Sequence, residues 1–309
     1  MFLYRFDHGQ RATAIREKPF TKEKDLQVIC ERNLETIFGM QFVCSEFALN
    51  GFRIDTLAFD RESRSFVILE YKRNEKFSVI DQGYAYLSLM LNNKADFILE
   101  YNETQAKNLR RDDVDWSQSR VLFVSPSFTS YQRESINFRD LPIELWEVRR
   151  YENDTLHFNQ IKPAGASESI RTISKQSEEI QKVSSEVKVY TEDDHLSTTD
   201  SMGAELFAAV KDAILGIGTD LSTSPKKLYV AFVANKKNIA DVHLLRNSLK
   251  MWINLRAGEL NDPGGVARDV SSIGHWGNGD YEVRIQEHSQ IPYVIGLVQQ
   301  SYRKNVGSP

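Results

Sequence analysis

The chain has 309 residues and a mass of 35.5 kDa, more than one hydrophobic core usually organises, so two domains are expected. It is 41% hydrophobic and 27% charged, the balance of a globular chain, and no apolar run approaches the roughly 20 residues that span a bilayer. A net charge of −4 gives no overall attraction for a polyanion, so any nucleic-acid contact must rest on local clusters of cations.

Cys30, Cys44 and six scattered histidines show no metal-ligand spacing. Both thiols are expected to be buried and reduced, as in a cytoplasmic protein. The opening MFLYRFDHGQR has no apolar h-region and does not read as a secretory signal. Residues 2–18 alternate weakly, which predicts a short hairpin, a sheet edge or a dimer contact. Lys22 to Phe38 then reads as an amphipathic helix, with Glu31 and Glu35 four apart on one face.

GFRIDTLAFDRESRSFVILEYKR, Gly51 to Arg73, predicts two strands joined by a polar turn. The first runs roughly from Phe52 to Phe59, the turn is Asp60 to Arg64, and the second runs from about Phe66 to Lys72. Side chains two apart share a strand face. Glu70 and Lys72 therefore point one way, and Val67, Leu69 and Tyr71 the other. Asp55 sits mid-strand, where a core strand should carry an apolar residue. If the hairpin pairs around its turn, Asp55 and Glu70 meet. Buried acids need a compensating partner, and Mg²⁺, a hard cation that takes carboxylate oxygens, is a natural one. Lys72 beside them could orient water or neutralise charge developing on a phosphate. A structural Asp and an exposed Glu-x-Lys at a strand end is the bland alternative. SVIDQGYAYLSLML, which follows, predicts a helix carrying Gln82 and Tyr86 four apart.

Asp55…Glu70-Tyr71-Lys72 resembles the PD-(D/E)XK motif of restriction-endonuclease-like nucleases, with Ile54 where the motif has proline. Gln82-x-x-x-Tyr86 resembles an element of one branch, which includes archaeal mismatch-type endonucleases. The resemblance covers residues 20 to 100. It implies that Asp55 and Glu70 hold Mg²⁺, or Mn²⁺ in its place, and that the upstream helix brings a third acid, Glu31 or else Glu35. It also implies that Lys72 assists attack by water, and that Gln82, Tyr86 and Arg73 contact substrate.

Downstream, Lys94 to Lys107 continues helically, Arg120 to Ser125 is a buried-type strand, and Thr129 to Asn137 reads as a helix. Strands follow at Ile143 to Arg150 and Thr155 to Ile161. This order suits an α/β fold with a mixed sheet flanked by helices, the restriction-endonuclease-like architecture, over residues 1–161. Lys72-Arg73, Arg110-Arg111 and Arg149-Arg150 are local cation pairs, each a solvated surface pair or a phosphate contact.

Residues 162–200 are rich in Ser, Glu, Lys and Thr and predict a polar linker with one charged helical stretch near Ile170 to Val187. Its acidic end, Glu192 to Asp194, is expected to be solvated. A smaller α+β domain is expected over 201–305. It has a helix at Met202 to Leu215, strands at Leu228 to Val233, Leu249 to Leu255 and Tyr281 to Ile285, and a helix at Pro292 to Arg303. Its SIGHWGNGD run, Ser272 to Asp280, signals a tight turn that could present His275 and Trp276 to a ligand or a base. With that run the domain resembles a family of unknown function found at the C-termini of bacterial proteins, which implies no chemistry.

The expected function is a Mg²⁺-dependent endonuclease hydrolysing phosphodiester bonds, in DNA, in restriction, defence or repair, and as a possible homodimer. Two alternatives stay open: a nuclease fold that binds nucleic acid without cutting, and a regulatory protein-interaction scaffold.

Overall fold

The hairpin expected from Gly51 to Arg73 forms the middle of a six-stranded mixed sheet. The structure, a computed structural model, describes residues 3–7, 9–73, 77–138, 140–163, 168–170 and 178–307. The chain divides into two compact units, Met1–Val189 and Tyr190–Pro309. No helix among the described residues is long and apolar enough to cross a membrane.

The first unit opens with a two-stranded ribbon, β1 (Leu3–Phe6) and β2 (Ala12–Ile15), followed by α1 (Glu23–Arg32) and α2 (Leu34–Phe38). Then come β3 (Gln41–Leu49), β4 (Phe52–Asp60), β5 (Ser65–Tyr71), α3 (Val79–Asn92), α4 (Lys94–Gln105) and β6 (Arg120–Ser125). α5 (Ser130–Ser135), β7 (Ile143–Arg150), β8 (Leu156–Ile161) and α6 (Glu178–Glu186) complete it. The strand order is β3-β4-β5-β6-β7-β8, with β5-β6-β7 parallel and the outer pairs antiparallel. The expected fold class, a mixed sheet flanked by helices, is the one observed.

Helices cover both faces of this sheet, so its central strand is apolar on both. Phe66, Val67, Ile68 and Leu69 of β5 are all fully buried. Phe66 and Ile68 face the core shared with α3 and α4; Val67 and Leu69 face the core shared with α1 and α2. Each such side chain contributes about 1.5–3 kcal/mol on burial, stability that offsets the cost of charged groups at the same strand's end.

Several expectations are corrected. The helix over Lys22 to Phe38 is two helices, broken at Asn33, whose backbone (φ −124°, ψ 24°) leaves the helical region. β3 is an additional strand. A register shift between Phe42 and Cys44, and a left-handed Glu46 (φ 57°), break the two-residue alternation that would reveal it. Cys30 is buried as expected, but Cys44 is only half-buried. Arg149 pairs with Glu17 at 3.2 Å and Arg150 with Asp154 at 3.6 Å, so that cation pair serves local structure.

The stretch expected to be a linker also behaves differently where it is described; residues 164–167 and 171–177 of it lie outside the described residues. Ile170, Val183 and Val187 are buried in the first unit's core, because three spaced apolar side chains suffice to dock a short segment beside α3. Its acidic end is a capped helix, α7 (Glu192–Leu196). Thr191 caps it by accepting the Asp194 N–H, and the Glu192 carboxylate takes Lys211 Nζ at 2.6 Å and Thr223 Oγ1 at 2.7 Å.

The second unit continues with α8 (Ser201–Leu215), β9 (Leu221–Pro225), β10 (Val230–Ala234), β11 (Lys237–Leu244), β12 (Leu249–Ile253), β13 (Arg268–Asp269), β14 (Tyr281–Ile285) and α9 (Ile291–Val306). Its antiparallel sheet has the order β13-β14-β12-β11-β10-β9. Leu206, Val210 and Ile214 of α8 and Val294, Leu297 and Val298 of α9 pack on Val242, Met251 and Val283, one face of that sheet.

Candidate active site

The ladder between β4 and β5 runs from Asp60↔Ser65 to Thr56↔Leu69 and stops there. Beyond that point the strands part, and the Tyr71 N–H has no partner on the β4 backbone. Asp55 supplies one: its Oδ2 accepts that N–H at 3.0 Å. The mid-strand aspartate is thus fixed by the split in the sheet, at the end of β5 where Glu70 stands.

Glu70 is 4% exposed. Its Oε1 accepts from Lys72 Nζ at 2.7 Å and from Gln82 Nε2 at 3.3 Å. Its Oε2 is buried and has no hydrogen-bond partner among the described residues. Lys72 follows the end of β5, where its N–H donates to the Val124 carbonyl at 3.0 Å. Its ammonium also lies 5.7 Å from the centre of the Phe77 ring. Gln82, in the first turns of α3, donates as well to Tyr86 Oη at 3.3 Å, and Tyr86 Oη donates to the Arg53 carbonyl at 3.5 Å. Two turns of α3 therefore hold one side of Glu70, and Lys72 holds the other.

Burial is the main force raising the pKa of both acids above the ordinary carboxylate range. For Glu70 the next cause is the charge of Asp55, so the two sit close enough to repel. The Tyr71 N–H, and then Lys72, oppose the rise at Asp55. Burial also raises the Tyr86 phenol, with the Glu70 charge second, keeping it a neutral donor.

The structure brings together Asp55, Glu70, Lys72, Gln82 and Tyr86. It places Glu31 elsewhere. Glu31 Oε1 accepts from Thr56 Oγ1 at 2.7 Å and from Gln27 Nε2 at 2.9 Å, on the face of the sheet that α1 covers. Glu35 is 82% exposed and lies 3.9 Å from Arg61. Among the described residues no three His, Cys, Asp or Glu side chains stand close enough to hold a metal as arranged. The expected acidic trio is thus assembled only as the pair Asp55 and Glu70, because Glu31 is engaged by a hydroxyl and an amide. Arg73 is exposed; its N–H donates to Glu23 Oε1 at 2.8 Å and its guanidinium to the Thr21 carbonyl.

Sequence reasoning missed Gln27. It is 4% exposed, and its Nε2 donates to the Asp55 carbonyl at 2.8 Å, Ser45 Oγ at 3.1 Å and Glu31. Its Oε1 accepts from Lys24 Nζ at 3.1 Å. An amide among the apolar residues of LQVIC, four positions before Glu31, is the signal that could have found it. Glu46 was also missed. Lys24 at 2.7 Å and Arg53 at 3.0 Å pair with it. The hydrogen bond from Lys24 is the main reason its carboxyl sits below the usual range.

The family model described as "Domain of unknown function (DUF5655)" matches residues 192–305. Among solved structures, a repair endonuclease from Pyrococcus abyssi matches with 17% identity and a TM-score of 0.25, over 43% of this chain and 49% of that one. EndoMS in its apo form matches with 21% identity and a TM-score of 0.25, over 40% of this chain and 44% of that one. The chain thus spans about half the length of these neighbours. A protein from Haemophilus influenzae, described as an "uncharacterized protein", is 46% identical over 303 residues, which is 98% of this chain and all of that one. The chain belongs to the same family as that Haemophilus influenzae protein.

Proposed function

We propose that the first unit is a metal-dependent nuclease that hydrolyses phosphodiester bonds in DNA. The observation that carries this reading is the buried acidic pair at the parting of β4 and β5, in which Glu70 Oε2 has no hydrogen-bond partner among the described residues. A buried carboxylate oxygen without a partner costs free energy comparable to a lost charged hydrogen bond. A hard divalent cation is the chemistry that relieves it, and two carboxylates fit such an ion's preference for oxygen.

Asp55 and Glu70 would hold Mg²⁺, or Mn²⁺ in its place. When bound, the ion would polarise a phosphodiester and lower the pKa of a water. The Tyr71 N–H and the Gln82 amide keep the two carboxylates aimed. Lys72, 21% exposed at its side chain, stands where it can orient the attacking water or neutralise charge growing on a phosphate oxygen. Arg73, exposed beside it, is the candidate backbone contact. Glu31 acts at one remove, tying Thr56, next to Asp55 in β4, to α1. One such site cuts one strand, so a duplex cutter would dimerise or act twice.

The test is cleavage of supercoiled, linear, single-stranded, flapped and mismatched DNA, and of RNA, with Mg²⁺, Mn²⁺ or EDTA. The wild-type chain is expected to cut only with metal. Asp55→Ala and Lys72→Ala should each lose at least about a hundredfold in rate. Cutting that survives either substitution would sink the assignment. DNA retained without cutting would leave a nuclease fold that only binds.

A further inference from the structure

The second unit's sheet buries one face against α8 and α9, and its other face is only partly roofed. Side chains opposite one another on that outer face form two rows. Asp241, Trp252 and Glu282 make the first, and His243, Lys250 and Arg284 the second, in register across β11, β12 and β14. The loop of residues 270–280 lies over the first row. Asn278 donates through its N–H to Asp241 Oδ2 at 2.5 Å and through Nδ2 to the same oxygen at 3.2 Å. Asp241 and Trp252 are buried accordingly.

Glycine is what allows this loop to sit so low. A Cβ at Gly277 would stand 2.5 Å from the Trp252 ring. Gly279 takes φ +89°, and a Cβ there would stand 2.1 Å from the Ile253 carbonyl oxygen. The GNGD turn is therefore pinned to the sheet, and what it holds up is Trp276, 57% exposed. The ring of Trp276 meets His243 edge-on, centroids 5.1 Å apart at 82°. His243 Nδ1 donates in turn to the Leu228 carbonyl at 2.5 Å.

The second row is open. Arg284 is exposed; Nη2 donates to Ser248 Oγ at 3.3 Å, and no carboxylate pairs with it among the described residues. Lys250 Nζ lies 3.4 Å from Glu282 and 5.8 Å from the Trp252 ring centre. Arg268 stands opposite Glu282 on the edge strand β13. In a chain of net charge −4, three cations and one partly exposed acid thus share a sheet face beside a fixed, exposed indole. A flat aromatic face next to cations spaced by neighbouring strands is the chemistry that takes an unpaired base and its flanking phosphates.

We propose that the ledge of Trp276, His243, Lys250 and Arg284 binds single-stranded nucleic acid. A base stacks on the open face of Trp276, and backbone phosphates lie against Lys250 and Arg284. Duplex offers no unstacked base to the indole and is the poorer ligand. This binding does not depend on the metal-assisted cutting proposed for the first unit.

The test uses the full chain in EDTA, so that no metal-dependent cutting occurs, and a fluorescein-labelled oligothymidylate of about ten nucleotides followed by anisotropy across a salt series. Trp276→Ala is expected to weaken binding about tenfold, the effect of losing one stacked base, and Trp276→Phe to restore most of it. Lys250→Gln with Arg284→Gln should make the salt slope shallower by about 1.4, the loss of two phosphate contacts on a single strand. Lys72→Ala with Arg73→Gln, in the first unit, should leave the Trp276 effect intact. Unchanged affinity in Trp276→Ala, at unchanged melting temperature, would overturn the proposal, and so would an unaltered salt slope in the double variant. A wild-type chain that does not bind the oligothymidylate would also overturn it and give the ledge to a partner of another class. Cutting by the first unit can persist under each of these outcomes, so the two readings fail separately.

Discussion

Both units bury an acid on an inner strand of a six-stranded sheet, and the two acids are treated in opposite ways. Asp241 of β11 is fully buried, and it accepts from Asn238 Nδ2 at 2.6 Å and twice from Asn278. Its charge is spent inside the fold, fastening a glycine loop to the sheet. Glu70 of β5 is almost as deeply buried, but its Oε2 has no hydrogen-bond partner among the described residues, and Asp55 nearby adds like charge. A satisfied buried acid is architecture. One left unsatisfied beside a second acid raises the energy of the ionised chain, which protonation or a bound cation relieves.

The comparison breaks most sharply under substitution. Asp241→Ala removes the acceptor of the Asn238 amide and of the Asn278 N–H and amide, and should destabilise the second unit by about 3 kcal/mol, read by urea unfolding. Glu70→Gln should leave the first unit folded and cost at least about a hundredfold in cutting rate. If Glu70→Gln unfolds the chain while Asp241→Ala is silent, the two acids have been assigned the wrong roles.

Cation binding sharpens the contrast next. Saturating Mg²⁺ should raise the wild-type melting temperature by about 5 °C, and should do so in Asp241→Asn. It should do nothing in Glu70→Gln. An equal shift in all three chains would move the ion elsewhere.

A buried amide gives a smaller effect. Gln27→Leu leaves the Asp55 carbonyl without its donor and should destabilise the first unit by about 1–3 kcal/mol. The Mg²⁺ concentration for half-maximal cutting should rise, since β4 is then less well held where Asp55 stands. A stability loss with an unchanged metal requirement would confine Gln27 to packing.

The smallest effect is a dependence on pH. In the metal-free chain Glu70 titrates above its unfolded value. Within that window the folded state binds more protons than the unfolded one, so this group's contribution to stability falls as pH rises from the unfolded toward the folded pKa. The difference in stability between Glu70→Gln and wild type should therefore grow in favour of the variant as pH rises through and above the carboxylate range, measured in EDTA. A flat difference would mean that Lys72 already compensates Glu70 fully.

Strands bounded by a clear turn were legible from the residues alone. β4 and β5 stand within a residue or two of expectation because two apolar-rich runs of strand length flank the polar turn Asp60 to Arg64. β3 and β11 were not. In β3 the register shift at Phe42–Cys44 and the left-handed Glu46 put apolar residues out of phase. In β11 the pattern is interrupted by Asp241, whose charge is met by Asn238 and by Asn278, which is distant in sequence. Lys22 to Phe38 showed helical periodicity, but α1 packs on β4 and β5 and α2 on β3, contacts with distant strands that accompany the break at Asn33.

The sequence by itself determined which residues could do the chemistry. Strand periodicity put Glu70 and Lys72 on one side of β5, and helical periodicity put Gln82 and Tyr86 on one side of α3. Both follow from local backbone geometry. Tertiary structure alone decided which acids share a site. Glu31 and Glu35 are equivalent on a helix surface, yet one faces Thr56 and the other solvent, and neither joins Asp55 and Glu70. That choice depends on where β4 leaves β5, on the N–H it leaves behind for Asp55, and on a buried amide from α1. These contacts join residues far apart in the chain, and no local pattern encodes them.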